Sequence, residues 1–282
     1  MFIGNLAEVP YKRGGFVMLI NVADVLDRTG GKGVLFLRHG KYESRHAVAL
    51  CDGDVYEMLA RNYSRRIPDS FFPLSDDGIR ASKHQGCRMR ELGIIPREIV
   101  ASKNGRGPHT GICIAQGIAE QPVFAETPGF DCQVEIKAVT GGDCTFIPVK
   151  HDIRVDYPEY RYEGLTELLR ELDTRVTPQW LNGQHRNLCT EDALNFKTRS
   201  EGLVGDLITR KFTVVTSHYE QVCLLHALFV VRQDLGSVSE DWSPTYNQGV
   251  LIVEGSRDWF GFDVNPDLTL MGEVDLDVIF SE

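Results

Sequence analysis

Three apolar runs in this chain stop on residues that can do chemistry. Residues 34–37 lead directly into Arg38, His39 and Gly40. "REIVAS" (97–102) is followed by Arg106, with Thr110 four residues later, and "FTVVTS" (212–217) is followed by His218. A neutral imidazole is a nucleophile whose second nitrogen can be fixed by a hydrogen bond. A guanidinium is a planar fork of donors that fits phosphate oxygens. Glycine lets the backbone approach a ligand closely. Such a set suits phosphoryl transfer, in which the equatorial oxygens stay negative and catalysis is mostly positioning and cationic stabilisation.

The elements that must position these residues can be read from pattern. Residues 34–37 are a continuous apolar run, as in a strand buried on both faces. A helix is expected over 76–92, with Ser75 as N-cap, Asp76 and Asp77 in the positive first turn, and Gly93 past its end. Ile79, Met89 and Leu92 can share its inward face. Strands are expected at 97–102, 122–126, 212–218 and 249–255, and helices at 109–119 and 191–210. The segment 11–26 is expected to add a short strand or helix, and the tail 267–280 to be extended. Residues 140–187, rich in Gly, Pro, Asp and Tyr, read as an insertion or cap with one amphipathic helix, "GLTELLRELDT". Strands alternating with helices predict one α/β domain over 1–282: a three-layer α/β/α fold with a mostly parallel central sheet. Ligands of such folds bind at the carboxyl ends of the strands, where Arg38, His39 and His218 fall.

Four motifs, in order, resemble those of the histidine phosphatase superfamily, the group of phosphoglycerate mutases and acid phosphatases. They are R-H-G at Arg38, His39 and Gly40; "PLSDDG" from Pro73 to Gly78; Ser102, Arg106 and Thr110 in an S-x-x-x-R-x-x-x-T pattern; and "VVTSH" ending on His218. The resemblance covers about residues 33–255. "RRIPDSFFPLSDDG" also looks like a branch with an R-x-P-D segment before the helix.

The resemblance implies that His39 attacks phosphorus and becomes a phosphohistidine, without metal or other cofactor. Arg38, Arg106 and His218 would hold the phosphate oxygens, His218 more strongly if cationic. The leaving alcohol needs a proton from a carboxylic acid. The family keeps this acid after the helix that follows the second arginine, or directly after the second histidine. Asp131 in "ETPGFD" matches the first location, where the family more usually has Glu; Glu220 is one residue off the second, and Glu126 is a further candidate. Asp131 is favoured. After R-H-G the chain reads Lys41, Tyr42, Glu43, Ser44, Arg45, so that Arg45 stands where mutases of the family carry Asn and Lys41 is an added cation. Both are candidate substrate ligands. The departure favours a phosphomonoester hydrolase over a mutase-type phosphotransferase; a catalytically weak phosphate-binding scaffold is the alternative from another class. Arg65 and Arg66 could line the mouth or be a surface pair. His226 lies on an apolar helix face and reads as a core residue, while His109, beside Thr110, could support the site.

Composition bounds the rest. The chain has 282 residues and a formal net charge of -10. So acidic a protein is a poor partner for nucleic acid or an anionic membrane. An anion must then meet a local basic pocket, and the expected partner is a small phosphorylated substrate. The seven cysteines form no C-x-x-C pair and read as free thiols in a reducing compartment, hence a cytoplasmic protein. Zinc at Cys132, Cys144 and His151 has the wrong spacing. No apolar run approaches the about 20 residues of a membrane span. Oligomeric state is left open.

Overall fold

The computed structural model describes residues 20–42, 74–102, 106–120, 132–136, 145–158, 175–256, 258–272 and 274–280. Among them, seven strands form one sheet: β1 (Val34–Arg38), β2 (Glu98–Ala101), β3 (Cys132–Ile136), β4 (Thr145–His151), β5 (Thr213–Ser217), β6 (Gly249–Glu254) and β7 (Trp259–Val264). Their order is β3-β4-β2-β5-β1-β6-β7. The inner strands β4, β2, β5 and β1 are parallel. β3 pairs antiparallel with β4, β6 with β1, and β7 with β6, so that only β3 and β6 oppose the common direction. The helices are α1 (Val22–Arg28), α2 (Asp76–Glu91), α3 (Arg106–Ile118), α4 (Val176–Leu181), α5 (Ala193–Ile208), α6 (Tyr219–Leu225) and α7 (Leu276–Phe280).

Period-two alternation divides β1, β2, β5 and β6 between two cores. Leu35, Leu37, Ile99, Ala101, Val214, Leu251 and Val253 face one core, closed by Val25 of α1, Met89 of α2 and Ile112, Ala115 and Ile118 of α3. Val34, Phe36, Val100, Val215, Val250 and Ile252 face the other, closed by Leu203, Val204, Leu207 and Ile208 of α5 and Val222 and Leu225 of α6. Both faces are buried, which is why these strands read as continuous apolar runs. This is the expected α/β/α sandwich. A third cluster, including Trp180, Leu181, Phe196 and Leu224, joins α4, α5 and α6.

Strand register sets the site. Arg38 pairs with Ser217 and Ala101 with Thr216. The next residues, His39, His218 and Ser102, therefore leave the sheet side by side at its carboxyl edge. α2 begins as its sequence implies: the Ser75 side chain accepts from the Gly78 N–H at 3.2 Å, and Asp76 and Asp77 occupy the first turn.

Three expectations change. Within 140–187, residues 145–151 are not a cap but strand β4, an inner strand between β3 and β2. Pro148 and Lys150 disguise it, because proline is unusual inside a sheet. The tail is not extended throughout, since Leu276–Phe280 is helical, with the Asp275 carboxylate accepting from the N–H groups of Asp277 and Val278. On α2, Met89 is fully buried but Ile79 and Leu92 are only half-buried, and the rest of its inward face is Gly78, Ser82, Gln85 and Gly86. The strand expected at 122–126 and the amphipathic helix at 164–174 lie outside the described residues.

The small residues on α2 follow from how closely it meets α3. A Cβ on Gly86 would stand 2.0 Å from the Ile114 carbonyl oxygen, and one on Gly117 2.1 Å from that of Lys83. The two helix backbones touch directly, which only glycine allows. Gly86→Ala should therefore destabilise the fold by at least about 1–3 kcal/mol, the usual cost of overpacking. Gly202 on α5 has open space around its missing Cβ. Gly202→Ala should instead stabilise by about 0.5–1 kcal/mol through helix propensity. Urea unfolding of the two variants checks both signs.

Candidate active site

His39 is buried, and its backbone N–H donates to Ser217 O at 2.9 Å. Its Nδ1 lies 2.8 Å from the Gly40 carbonyl oxygen. A carbonyl can only accept, so Nδ1 carries the proton and Nε2 keeps the lone pair in the neutral ring. Gly40 is held in turn. Its N–H donates to Thr110 Oγ1 at 2.9 Å, and Thr110 Oγ1 donates to Arg106 O at 2.7 Å. A Cβ at Gly40 would come within 2.7 Å of Ser82 Oγ, so a larger residue would displace the turn that holds the imidazole.

His218 is also buried, and its ring centroid lies 5.3 Å from that of His39 in an edge-to-face arrangement. Its Nε2 is 2.8 Å from Ser102 Oγ, at the end of β2. Thr216 Oγ1 donates to Gly107 O at 2.9 Å and ties the start of α3 to β5. Arg106, the first residue of α3, lies over the Tyr42 ring, 4.3 Å from Cζ to centroid. Arg38 Nη1 donates to Pro244 O at 2.7 Å, and its Cζ stands 4.3 Å from the Tyr246 ring and 5.0 Å from that of Tyr219. Tyr42, Tyr246 and Tyr157 bring ring edges or faces to the two imidazoles.

Both imidazoles are pushed well below their ordinary pKa. For His39 the causes are burial first and then the Arg106 charge, partly opposed by the Gly40 hydrogen bond, which acts in the raising direction, with the Arg38 charge lowering it further. For His218 they are burial, then His39, Arg106, Arg38 and Arg199. Burial and the neighbouring cations thus disfavour the cationic form of His218, the form that would hold an anion more strongly. In a pocket with two guanidinium groups a third cation is disfavoured until an anion arrives.

The sequence-derived residues separate into three groups. Arg38, His39, Arg106 and His218 come together, as do the supporting Ser102 and Thr110. Lys41 does not join them; it is exposed and pairs with Asp77 at 3.3 Å. Glu220 sits half-exposed in the first turn of α6. Its charge acts on Cys189 and Cys223, thiols pushed up by burial above all and by this carboxylate in addition. Asp131, Glu126, Arg45, Arg65 and Arg66 lie outside the described residues. His226 is a buried histidine with a partner, 3.2 Å from the Asp263 carboxylate and stacked on Trp242. His109 is buried without a hydrogen bond to either ring nitrogen. Among the described residues no cluster of His, Cys, Asp or Glu is arranged to hold a metal. No described helix is long and apolar enough to cross a membrane.

Sequence reasoning missed Pro244, Tyr246 and Asn247, the loop before β6. Asn247 is buried with φ +62°, and its Nδ2 donates to Ser82 Oγ at 3.0 Å and Gln85 Oε1 at 3.3 Å. The run "SPTYNQG" signals a turn, but nothing in it says that the turn reaches Arg38.

No family model and no curated protein matches the sequence. Solved structures do match in fold. A mycobacterial glucosyl-3-phosphoglycerate phosphatase is 12% identical with a TM-score of 0.50, over 82% of this chain and 96% of that one. A phosphoglycerate mutase from Bacillus anthracis is 12% identical with a TM-score of 0.50, over 83% and 92%. The chain therefore has the α/β fold of that phosphatase and that phosphoglycerate mutase.

The depressed imidazoles make a sign-definite prediction. Histidine NMR should place the His39 and His218 titration midpoints below the ordinary value of about 6.5, and inorganic phosphate should raise both, because a bound anion favours imidazolium. The unfolded chain protonates these rings near 6.5 and the folded chain does not. Their linkage term is therefore fully favourable above that pH and is lost as pH falls below it towards the folded-state values.

Proposed function

We propose that this protein hydrolyses phosphomonoesters through a phosphohistidine on His39. The observation that carries the reading is the convergence of one buried imidazole, with its Nδ1 proton committed to Gly40 O, with Arg38, Arg106 and His218 at the carboxyl edge of the sheet. The fold's likeness to a phosphatase and a mutase supports the same chemistry.

Arg38 and Arg106 take the phosphate oxygens, and the bound anion draws a proton towards His218, restoring a third cation where charge is greatest. His39 Nε2 forms a bond to phosphorus as the bond from phosphorus to the ester oxygen breaks. Asp131 gives that oxygen its proton. Water then attacks the phosphohistidine, giving its proton to Asp131, and inorganic phosphate leaves with His39 restored. Lys41, exposed and paired with Asp77, belongs to the outer rim, and Arg45 is assigned to contact the substrate beyond its phosphate. Water as the acceptor distinguishes this reading from mutase chemistry, and the replacement of the mutase-type Asn by Arg45 supports it.

Rapid quench with a labelled phosphoester should trap an acid-labile, base-stable adduct on His39. His39→Ala should lose it together with turnover; an adduct elsewhere, or full turnover by the variant, overturns the assignment. Arg38→Ala or Arg106→Ala should each slow the reaction on the order of 10²-fold or more.

The acid is tested by leaving group. Asp131→Asn should slow an alkyl phosphate far more than p-nitrophenyl phosphate, whose phenolate leaves with little help. If Glu220→Gln shows that dependence instead, the acid belongs after the second histidine. Phosphate binding without turnover of any ester would favour the scaffold reading.

A further inference from the structure

An arginine aimed at a phosphate needs something to hold it, because a free guanidinium loses conformational entropy each time it docks. The common holder is a carboxylate. In a phosphate pocket that solution is self-defeating, since the carboxylate cancels the charge and repels the dianion. Arg38 is held differently. Its Nη1 donates to the Pro244 carbonyl, and its guanidinium lies between two rings, Tyr246 at 4.3 Å and Tyr219 at 5.0 Å. All three contacts are with neutral groups, and among the described residues no carboxylate pairs with Arg38. Its Nε is buried without a hydrogen-bond partner. With Nη1 engaged, the Nε–Nη2 edge is the fork left for an anion.

The ring nearest Arg38 is itself firmly placed. Tyr246 precedes Asn247, whose N–H donates to Arg38 O at 3.1 Å and whose side chain is bonded to Ser82 and Gln85 of α2. Gln85 Nε2 returns a bond to Asn247 O at 3.0 Å. The loop that carries Tyr246 is therefore fastened on one side to the backbone of the arginine it covers and on the other to α2. Tyr219 follows His218 directly, so the second ring is set by the strand end that places the second histidine.

We propose that Tyr246, with Tyr219 on the other side, is a positioning residue: it orients Arg38 by cation–π contact and leaves its full charge to the substrate phosphate. The inference rests on reading the pocket as a phosphate site. It makes the aromatic ring, not the phenol hydroxyl, the working part of Tyr246.

Three variants of the full chain separate the parts of the claim: Tyr246→Phe, Tyr246→Leu and Tyr246→Glu. Inorganic phosphate binding is measured by calorimetry, and kcat and KM with p-nitrophenyl phosphate. Tyr246→Phe keeps the ring and should stay within about 2-fold of the parent. Tyr246→Leu should lose roughly 2- to 30-fold in phosphate affinity and in kcat, the range of a partly desolvated cation–π contact. Tyr246→Glu offers Arg38 an ion pair and should bind phosphate more weakly than Tyr246→Leu. In an Arg-labelled NMR spectrum, the Arg38 Nε–H resonance should keep its ring-current shift in the Phe variant and lose it in the Leu variant. Equal phosphate binding by the parent and Tyr246→Leu, or a Phe variant as impaired as Leu, overturns the inference while leaving the phosphate site intact. A Glu variant that binds as well as Leu or better overturns the argument for a neutral holder. A parent protein that binds no phosphate overturns the site reading and the inference together.

Discussion

The bond between His39 Nδ1 and the Gly40 carbonyl decides which nitrogen of the ring is available for chemistry, and much of the molecule is arranged around keeping that carbonyl in place. The turn at Gly40 is reached from α3 through Thr110, crowded from α2 by Ser82 and Gly78, and backed by Asn247. Each contact comes from a different part of the chain. A rotation of the Gly40 peptide would release Nδ1 and allow the other tautomer, whose lone pair points the wrong way. Close contact between α2 and α3 is thus a requirement of the site as well as of the core. It explains why α2 turns glycine, serine and glutamine inward where an ordinary amphipathic helix would turn leucine.

The electrostatics follow from the same crowding. Two guanidinium groups act on two imidazoles that are both shut away from water. The pocket keeps its charge concentrated by leaving its histidines neutral and by holding Arg38 with rings and a peptide oxygen. In a protein with a net charge of -10 this makes a small positive site within an acidic body. An anion bound there escapes the repulsion of that body only inside the pocket, and the same negative body discourages looser contact with polyanions.

Much of this was legible from sequence where the physics is local. Residues 34–37 and 212–217 announce buried parallel strands because both their faces are apolar, and Arg38, His39 and His218 follow because strand ends are where such folds place ligands. Ser75, Asp76 and Asp77 announce the start of α2 by capping chemistry. The rest was not legible because its cause is not local. Thr145–His151 is a sheet strand that includes Pro148 and Lys150, and only pairing with β2 and β3 makes it one. Tyr42 lies at an isolated bridge to Leu74 and Tyr246 in a turn, neither in a periodic run, so nothing in their neighbourhoods says that they face the two arginines. Glu220 follows His218 in the first turn of α6, and its charge also acts on the thiols of Cys189 and Cys223.

The sheet order has a consequence for how the chain is made. β1 is completed long before its partners β5 and β6, with Val34 paired to Thr213 on one side and Ile252 on the other. Until those strands leave the ribosome, one of the most apolar segments of the protein has both edges open. Contacts so distant in sequence slow folding, and unpaired strand edges invite association. His39 sits just past the end of that waiting strand. His39 is therefore made long before its surroundings are complete, and a nascent chain cut short before β5 carries His39 without the second histidine beside it.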